Sequence, residues 1–533
     1  MLKLPILFAL AIMLCGCAQQ ANPTGGKRDI QPPKLMTSTP EQLMKNFKGQ
    51  ELILNFDEYI QVKELTSQLL ISPPLRNGIK SKIQKRSLIL THNDTLNPNT
   101  TYTISFGNAI ADLNEGNVLQ DLKLVFATGP TIDTASIQGL VADASTNKGE
   151  AGVAVLLFES DNDSSIFNAV PNYYTRTIEG GLFNFQYISP QSYTIYALKE
   201  KNNNFKYDDQ EELIGKLTTP VPSNSTAPPF SYFKPLPKLN LIKCQSEAPG
   251  KIVCYYNQPT VNFNWQFLGD TSGLQLYTVS SNARGDTTTI WYANNQFDSL
   301  SILLRTSTTT DTVNLRLSRK NAAAIGRGQQ VLQIKTTVDQ SGLLAPNQFL
   351  SLHFSFPIAK LDTNKLMLRA DSLQLAPKHE WVSDDFLKLN LSHNWVEGKA
   401  YKLWLLPGMA TDLYGNTHDT IRINFTVRPT ESYGTLLLKP QALDSTAQYA
   451  IQLLNESGSI VQTATGIQQN ITWNYVEPGI YHVKIIVDTD ANGNYTTGSI
   501  IPYREAEKVF FYKEPIIIRA NWDVEISLDP LVK

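Results

Sequence analysis

The chain has 533 residues, with 46 basic and 48 acidic side chains and a formal net charge of −2. That balance removes the electrostatic case for a nucleic-acid partner, and the length allows about three to five domains. Charged residues are only 18%, while Thr, Ser, Asn, Tyr and Phe are plentiful. With little sustained helical periodicity, this composition predicts extended strands joined by polar turns, not helical bundles.

The first segment in chain order is Lys3 followed by an apolar run from Leu4 to Leu14, closing on Leu14-Cys15-Gly16-Cys17. The run has the length of a secretory h-region and is short for a membrane span. No later apolar run approaches a span. A small residue before a cysteine at the end of such a run resembles the lipobox of bacterial lipoproteins. The resemblance implies that residues 1–16 are a signal peptide and that Cys17 becomes the acylated, palmitate-type first residue of the mature protein. The partner it implies is a membrane, reached through the lipid anchor. Ala18 in place of an aspartate favours the outer membrane by the same resemblance, on either its periplasmic or its cell-surface face. Residues 17–34 are polar and rich in Pro and Gly, a tether between the lipid and the first domain.

Strand-like segments follow at 51–56, 88–91, 101–106 and 122–127, separated by Asn, Gly, Pro and Asp. They predict a first β-sandwich over 35–130. A second run of strands over 131–218 contains Gly181-Leu182-Phe183-Asn184-Phe185 and Tyr193-Thr194-Ile195-Tyr196-Ala197. Phe183 and Phe185 share one strand face, as do Tyr193, Ile195 and Ala197. Pro220, Pro222, Pro228, Pro229, Pro235 and Pro237 then predict a stiff linker over 219–240, since proline is excluded from sheet interiors. A middle β-sandwich is expected over 241–330, another sandwich over 331–429, and a last one over 430–533.

Internal repetition organises these modules. Thr101-Tyr102-Thr103-Ile104 matches Ala400-Tyr401-Lys402-Leu403, and Ala109-Ile110-Ala111-Asp112-Leu113 matches Met409-Ala410-Thr411-Asp412-Leu413. Phe183, Phe185, Pro190 and Tyr193 recur as Ile471, Trp473, Pro478 and Tyr481 at a constant offset of 288. The order is therefore A–B, a middle module, then A–B again. The A modules resemble bacterial Ig-like domains of the kind found in S-layer proteins, on Leu54-Asn55-Phe56-Asp57-Glu58-Tyr59, Asn97-Pro98-Asn99-Thr100-Thr101-Tyr102 and Phe126-Ala127-Thr128-Gly129. The B modules resemble the prealbumin-like, carboxypeptidase-regulatory type of sandwich. The whole arrangement resembles Ig-like lipoproteins of the Bacteroidota. The fold class implied is all-β, with tandem Ig-like and prealbumin-like β-sandwiches. No activity is implied, because such sandwiches host many functions.

Few residues suggest chemistry. In Asp488-Thr489-Asp490-Ala491-Asn492-Gly493-Asn494-Tyr495, oxygen side chains alternate ahead of a glycine, as at the start of a calcium loop. Asp488, Asp490, Asn492 and Asn494 are the candidate ligands and calcium the candidate ion, although position twelve is Ser499 rather than a carboxylate. The other reading, which also covers 200–207, is an Asx-rich turn that satisfies its own backbone. Cys244 and Cys254 flank a Pro-Gly turn and are expected to face across a hairpin, as a disulfide in an oxidising compartment or as two buried thiols. The six histidines show no zinc spacing, and neither a nucleophile elbow nor a phosphate loop is present. Asp57 and Glu58 could be read as paired carboxylates, but adjacent residues in an extended segment face opposite ways and would not share a site, so they are expected to cap a strand end. Asp-Ser/Thr pairs such as Asp94-Thr95, Asp286-Thr287 and Asp444-Ser445 read equally as β-turn residues and as O-glycosylation acceptors of the kind the family resemblance suggests. Trp291, Tyr292, Trp381, Trp395 and Trp404 are expected mainly in cores, with a sugar-stacking platform as the alternative. The expectation is a non-enzymatic, lipid-anchored envelope protein, a rod of β-sandwiches serving as a binding or spacer module. The alternative is a carbohydrate- or protein-binding accessory subunit whose envelope partner is unknown.

Overall fold

The computed structural model describes residues 29–528, apart from 160–163, 210, 249, 261–262, 270–273, 283, 295–297, 318–330, 339–340, 442, 445 and 467–469. Among the described residues, strands carry the architecture, and no helix is long and apolar enough to cross a membrane. The chain divides into two compact units: one runs to Asp143 and resumes over Lys148–Lys234, and the other comprises Ala144–Asn147 and Pro235–Lys533.

The first unit opens with an A module of two facing sheets. One has the order Leu35–Thr39, Glu51–Phe56, Ser87–Thr91, Lys80–Gln84; the other has Leu70–Ser72, Thr101–Ser105, Lys123–Ala127. The alternation in Glu-Leu-Ile-Leu-Asn-Phe puts Leu52, Leu54 and Phe56 inside, facing Tyr102, Ile104, Leu124 and Phe126 of the other sheet. Each such side chain contributes about 1.5–3 kcal/mol on burial. The edge strand Lys80–Gln84 is exposed along its length, and its lysines discourage pairing with another sheet.

The B module that follows centres on Ala135–Asp143, antiparallel to Leu182–Ile188. The facing sheet has the order Tyr173–Arg176, Ala154–Phe158, Ser192–Lys199, Leu213–Lys216. Phe183, Phe185, Tyr193, Ile195 and Ala197 fill the core between them.

The expected linker over 219–240 needs correction. Val221–Pro222 pairs with Ser192–Lys199, while Ser225–Thr226 and Phe230–Tyr232 run parallel to Ala135–Asp143. Val221, Ala227, Phe230 and Tyr232 are buried in the module's core. Residues up to Lys234 therefore belong to the first unit rather than to a spacer, and the second unit's long segment begins at Pro235. The prolines are compatible with this because Pro222 closes a two-residue edge strand and Pro228 and Pro229 occupy the break between two short strands.

The second unit carries the middle, second A and second B modules. The middle module has one sheet of order Leu241–Ala248, Lys251–Tyr256, Thr287–Asn294, Leu274–Ser281, and another of order Asn264–Leu268, Ser299–Arg305, Thr310–Arg316. In the second A module, Ile334–Thr336, Leu350–Phe354, Lys388–Ser392 and Lys378–Trp381 form one sheet. The facing sheet runs Leu343–Leu344, Ile421–Val427, Ala400–Leu405, Leu366–Ala370, Leu373–Leu375. In the second B module, Gly434–Pro440 lies between Ile471–Val476 and the parallel strand Asp523–Leu528. Its other sheet is built on Tyr449–Asn455 and Gly479–Val487.

The sequence repeat is a repeat of structure. Tyr102 stacks on Phe126 with ring centroids 5.6 Å apart and 11° between planes, and Tyr401 stacks on Phe425 at 5.4 Å and 14°. In both A modules the tyrosine hydroxyl accepts a backbone N–H five residues upstream, from Asn97 at 2.9 Å and from Val396 at 3.0 Å. In both B modules it donates to a carbonyl four residues upstream, Tyr193 to Ser189 and Tyr481 to Glu477, each at 2.8 Å. These are tyrosine-corner bonds that fix a loop to the strand it enters.

Candidate functional site

Of the residues singled out in the sequence, Cys17 lies outside the described residues. Cys244 and Cys254 are opposite one another on the antiparallel strands Leu241–Ala248 and Lys251–Tyr256, and their sulfurs are 2.03 Å apart. Cys254 is fully buried in the middle module's core, and Cys244 packs against that core.

The Asp488 loop leaves the end of strand Gly479–Val487. Among the described residues, one cluster brings together three carboxylates: Asp488, Asp490 and Glu507, with an oxygen from each within 4.8 Å of the others. Asp488 and Glu507 are buried, and Asp490 is exposed. Asp488 accepts from the backbone N–H of Asn492 at 3.1 Å and of Gly493 at 2.8 Å. Glu507 accepts from the N–H of Thr489 at 2.7 Å, the Thr489 hydroxyl at 3.0 Å and the N–H of Thr496 at 2.8 Å. Asp490 accepts from Asn492 N–H at 3.2 Å and from the Thr496 hydroxyl at 2.8 Å. The side chains of Asn492 and Asn494 bond within the loop. The Asn492 amide donates to Thr496 Oγ1 and its carbonyl oxygen accepts from Asn494 N–H, while the Asn494 amide donates to the Asn492 carbonyl. Ser499 donates to the Pro502 carbonyl at 2.8 Å.

These bonds fold the loop back over the outer face of the sheet. The Gln452 amide donates to Gly493 O at 3.2 Å, and Tyr495 packs on a small buried group of Ala450, Ile486 and Val509. The Lys484 ammonium sits 4.9 Å from the Tyr495 ring centre, and burial holds its pKa below the usual lysine value. Hard oxygens in this arrangement have the chemistry of a cation site. Here they act as acceptors that close a turn and cover apolar surface.

Glu507 lies beyond the twelve residues that a calcium-loop pattern spans from Asp488. Its counterpart in the first B module is Glu212. Glu212 stands two residues before Ile214, which pairs with Leu198; Glu507 stands two residues before Val509, which pairs with Ile486. Leu198 and Ile486 are related by the 288-residue offset, whereas Glu212 and Glu507 differ by 295. The seven extra residues accommodate the hairpin Ser499–Ile500 with Tyr503–Arg504. Glu212 is fully buried and accepts from the N–H groups of Lys201, Asp208 and Asp209 at 3.2–3.4 Å. Glu200, the counterpart of Asp488, accepts from Phe205 N–H at 2.8 Å and lies 4.0 Å from the Arg176 guanidinium. Burial raises the Glu200 pKa despite both contacts. The signal that would have found this pair is a glutamate two residues before an apolar strand, in both B modules.

The other repeated polar residues also close turns. Asp112 accepts from the N–H groups of Glu115, Gly116 and Asn117 at 2.6–3.0 Å. Asp412 accepts from Tyr414 and Asn416 N–H at 2.9 and 2.8 Å. Burial opposes ionisation of Asp112, but its three N–H donors outweigh it and hold the carboxyl below the usual aspartate value. Asp57 accepts from Lys34 N–H at 2.8 Å, and Asp94 binds Asn77 through both carboxylate oxygens. His92 and His418 are buried, each with Nδ1 on a nearby backbone carbonyl. The aromatic residues separate. Trp291 is buried at 5.6 Å from Phe356, and the Tyr414 hydroxyl ties the second A module to the middle module through Gly250 O at 2.7 Å. Trp381 and Trp395 pack on the second A module's core, whereas Trp404 lies on its outer face.

Residues 29–128 match the family described as a bacterial Ig-like domain. No curated protein matches the chain. Among solved structures, the surface layer protein SbsC, domains 1–6, is 12% identical, covering 75% of this chain and 67% of that one, with a TM-score of 0.19. The major pilin subunit BcpA of Bacillus cereus is 12% identical, covering 74% of this chain and 99% of that one, with a TM-score of 0.14. The N-terminal eight Ig domains of Down Syndrome Cell Adhesion Molecule are 9% identical, covering 93% and 61%, also at 0.14. Likeness at this level adds nothing to the argument from strands and registers. The family match thus makes residues 29–128 a bacterial Ig-like domain, and the paired sheets make the chain an all-β protein of tandem β-sandwiches.

Proposed function

We propose that this Ig-like protein is a non-enzymatic, lipid-anchored component of the bacterial cell envelope, serving as a binding or spacer module on the outer membrane. The observation that carries the non-enzymatic reading is the use of its polar residues. Asp112, Asp412, Asp488, Glu212, Glu507 and the repeated tyrosines are each bonded to backbone groups of their own module. A nucleophile, base or oxyanion donor needs a free reacting atom beside a cleft, and these atoms are engaged in turns. The anchor rests on the lipobox-like Leu14-Cys15-Gly16-Cys17. Replacing Cys17 with Ser leaves the β-sandwiches folded and moves the protein from the membrane to the soluble fraction. A Cys17→Ser protein that stays with membranes overturns the anchoring; turnover of any substrate by the purified chain overturns the non-enzymatic reading.

A further inference from the structure

We propose that the outer face of the second A module's five-stranded sheet binds an acidic polysaccharide, a polymer carrying carboxylate or sulfate groups. The registers place the relevant side chains. Trp404 lies between Met367 and Arg422 on neighbouring strands, and Lys402 is opposite Arg369 on one side and Asn424 on the other. Gln374 extends that second row beyond Arg369. Because side chains alternate, these residues share one face, opposite the buried Leu368, Leu403 and Ile423. The Arg369 guanidinium stacks over Trp404 at 5.0 Å. Lys402, Arg422, Asn424 and Gln374 are exposed.

Three cations thus stand on adjacent strands, each about 5–8 Å from the next by sheet geometry. No carboxylate occupies these rows, and among the described residues none forms an ion pair with any of the three. Guanidinium groups accept carboxylate and sulfate oxygens in bidentate geometry, and stacking on an indole keeps one of them in place. Asn424 and Gln374 add amides suited to sugar hydroxyls.

The first A module shows what this face does when a neighbouring module covers it. There, Thr103, Ser105 and Lys123 precede Lys402, Trp404 and Arg422 by 299 residues, and Ser72 faces Thr103 as Arg369 faces Lys402. Ser72 Oγ accepts from Tyr174 N–H of the adjoining B module at 3.1 Å, and Ile71 N–H donates to the Tyr174 hydroxyl at 3.0 Å. Ser72, Thr103 and Ser105 are small and neutral, as suits docking of protein on protein, and Lys123 is the one cation there; the second copy places Arg369, Lys402 and Trp404 on those three positions, keeps a cation at Arg422, and leaves Lys402 and Arg422 exposed. Charge complementarity therefore points to a polyanion. A lipid surface is the weaker match: polybasic membrane sites use clusters of about 4–8 cations, and Met367 and Trp404 are half-buried and do not project.

The test uses the full chain carrying Cys17→Ser, so that no acyl chain contributes, and measures binding to immobilised polygalacturonate, dextran sulfate and neutral dextran, and to phosphatidylglycerol vesicles. Binding to either charged polymer, absent on neutral dextran, is expected to weaken about tenfold or more in the exposed-surface variant Lys402→Glu/Arg422→Glu. The same charge change on the first module's edge strand, Lys80→Glu/Lys82→Glu, is expected to weaken it by less than about threefold. Equal loss in the two variants, equal binding to neutral dextran, or binding to the vesicles alone overturns the proposal. An unchanged melting temperature in Lys402→Glu/Arg422→Glu separates lost binding from lost folding.

Discussion

Removing the Glu507 carboxylate tests whether the Asp488 loop is held by that side chain. Glu507→Ala leaves the N–H groups of Thr489 and Thr496 without their acceptor and removes the bond from the Thr489 hydroxyl. A hydrogen bond to a charged group contributes about 1.5–3 kcal/mol, and an orphaned buried donor costs about 1–3 kcal/mol. Thr489 is exposed, so water replaces part of its loss. Repulsion from Asp488 and Asp490, within 4.8 Å, is relieved at the same time and returns about 1 kcal/mol. The net expectation is about 2 kcal/mol, confined to the last module. By hydrogen exchange and mass spectrometry, amide protection of strand Gly479–Val487 should fall about 30-fold, while that of Thr101–Ser105 stays constant. Glu505→Ala, an exposed neighbour, should change protection by no more than about twofold. A Glu507→Ala protein with wild-type protection over Gly479–Val487 would refute the reasoning, because buried acceptor bonds would then contribute nothing to the loop.

Three further outcomes are expected. With the Asp112 pKa lowered in the folded state, the unfolded chain binds more protons as pH falls below about 4; the first A module therefore loses stability through that window, and Asp112→Asn flattens the melting-temperature profile there. A Cβ at Gly215 would lie 2.1 Å from the Ser231 carbonyl oxygen, so Gly215→Ala should destabilise the first B module by about 2 kcal/mol or more, read from denaturant unfolding, and a midpoint unchanged from wild type would contradict the packing. Since each carboxylate of the Asp488 cluster already accepts from N–H or O–H donors, millimolar calcium should leave the last module's melting temperature unchanged; an upward shift would show that these oxygens take a cation.

The alternation in 51–56 and 101–106 was readable as strands because burial on one side of a sheet imposes a period of two, and both segments are strands within a residue of those bounds. The prolines of 219–240 misled for a related reason. Proline excludes a sheet interior but not an edge or a break between strands, and only the pairing partners distinguish those cases. The role of Glu507 has no local signature, because it depends on a strand returning beside Gly479–Val487 after an inserted hairpin, and no fixed spacing from Asp488 encodes that return.

Local sequence therefore determined the all-β class and the repeated A and B patterns, since those depend on periodicity, while the tyrosine bonds that close turns emerged only from the fold. Tertiary structure alone decided which side chains share a face. Arg369, Lys402, Trp404 and Arg422 are scattered along 54 positions of the chain, and neighbouring strands bring them together. Sheet register is a long-range property, set by how apolar faces pack, so a surface assembled from three strands has no local signature.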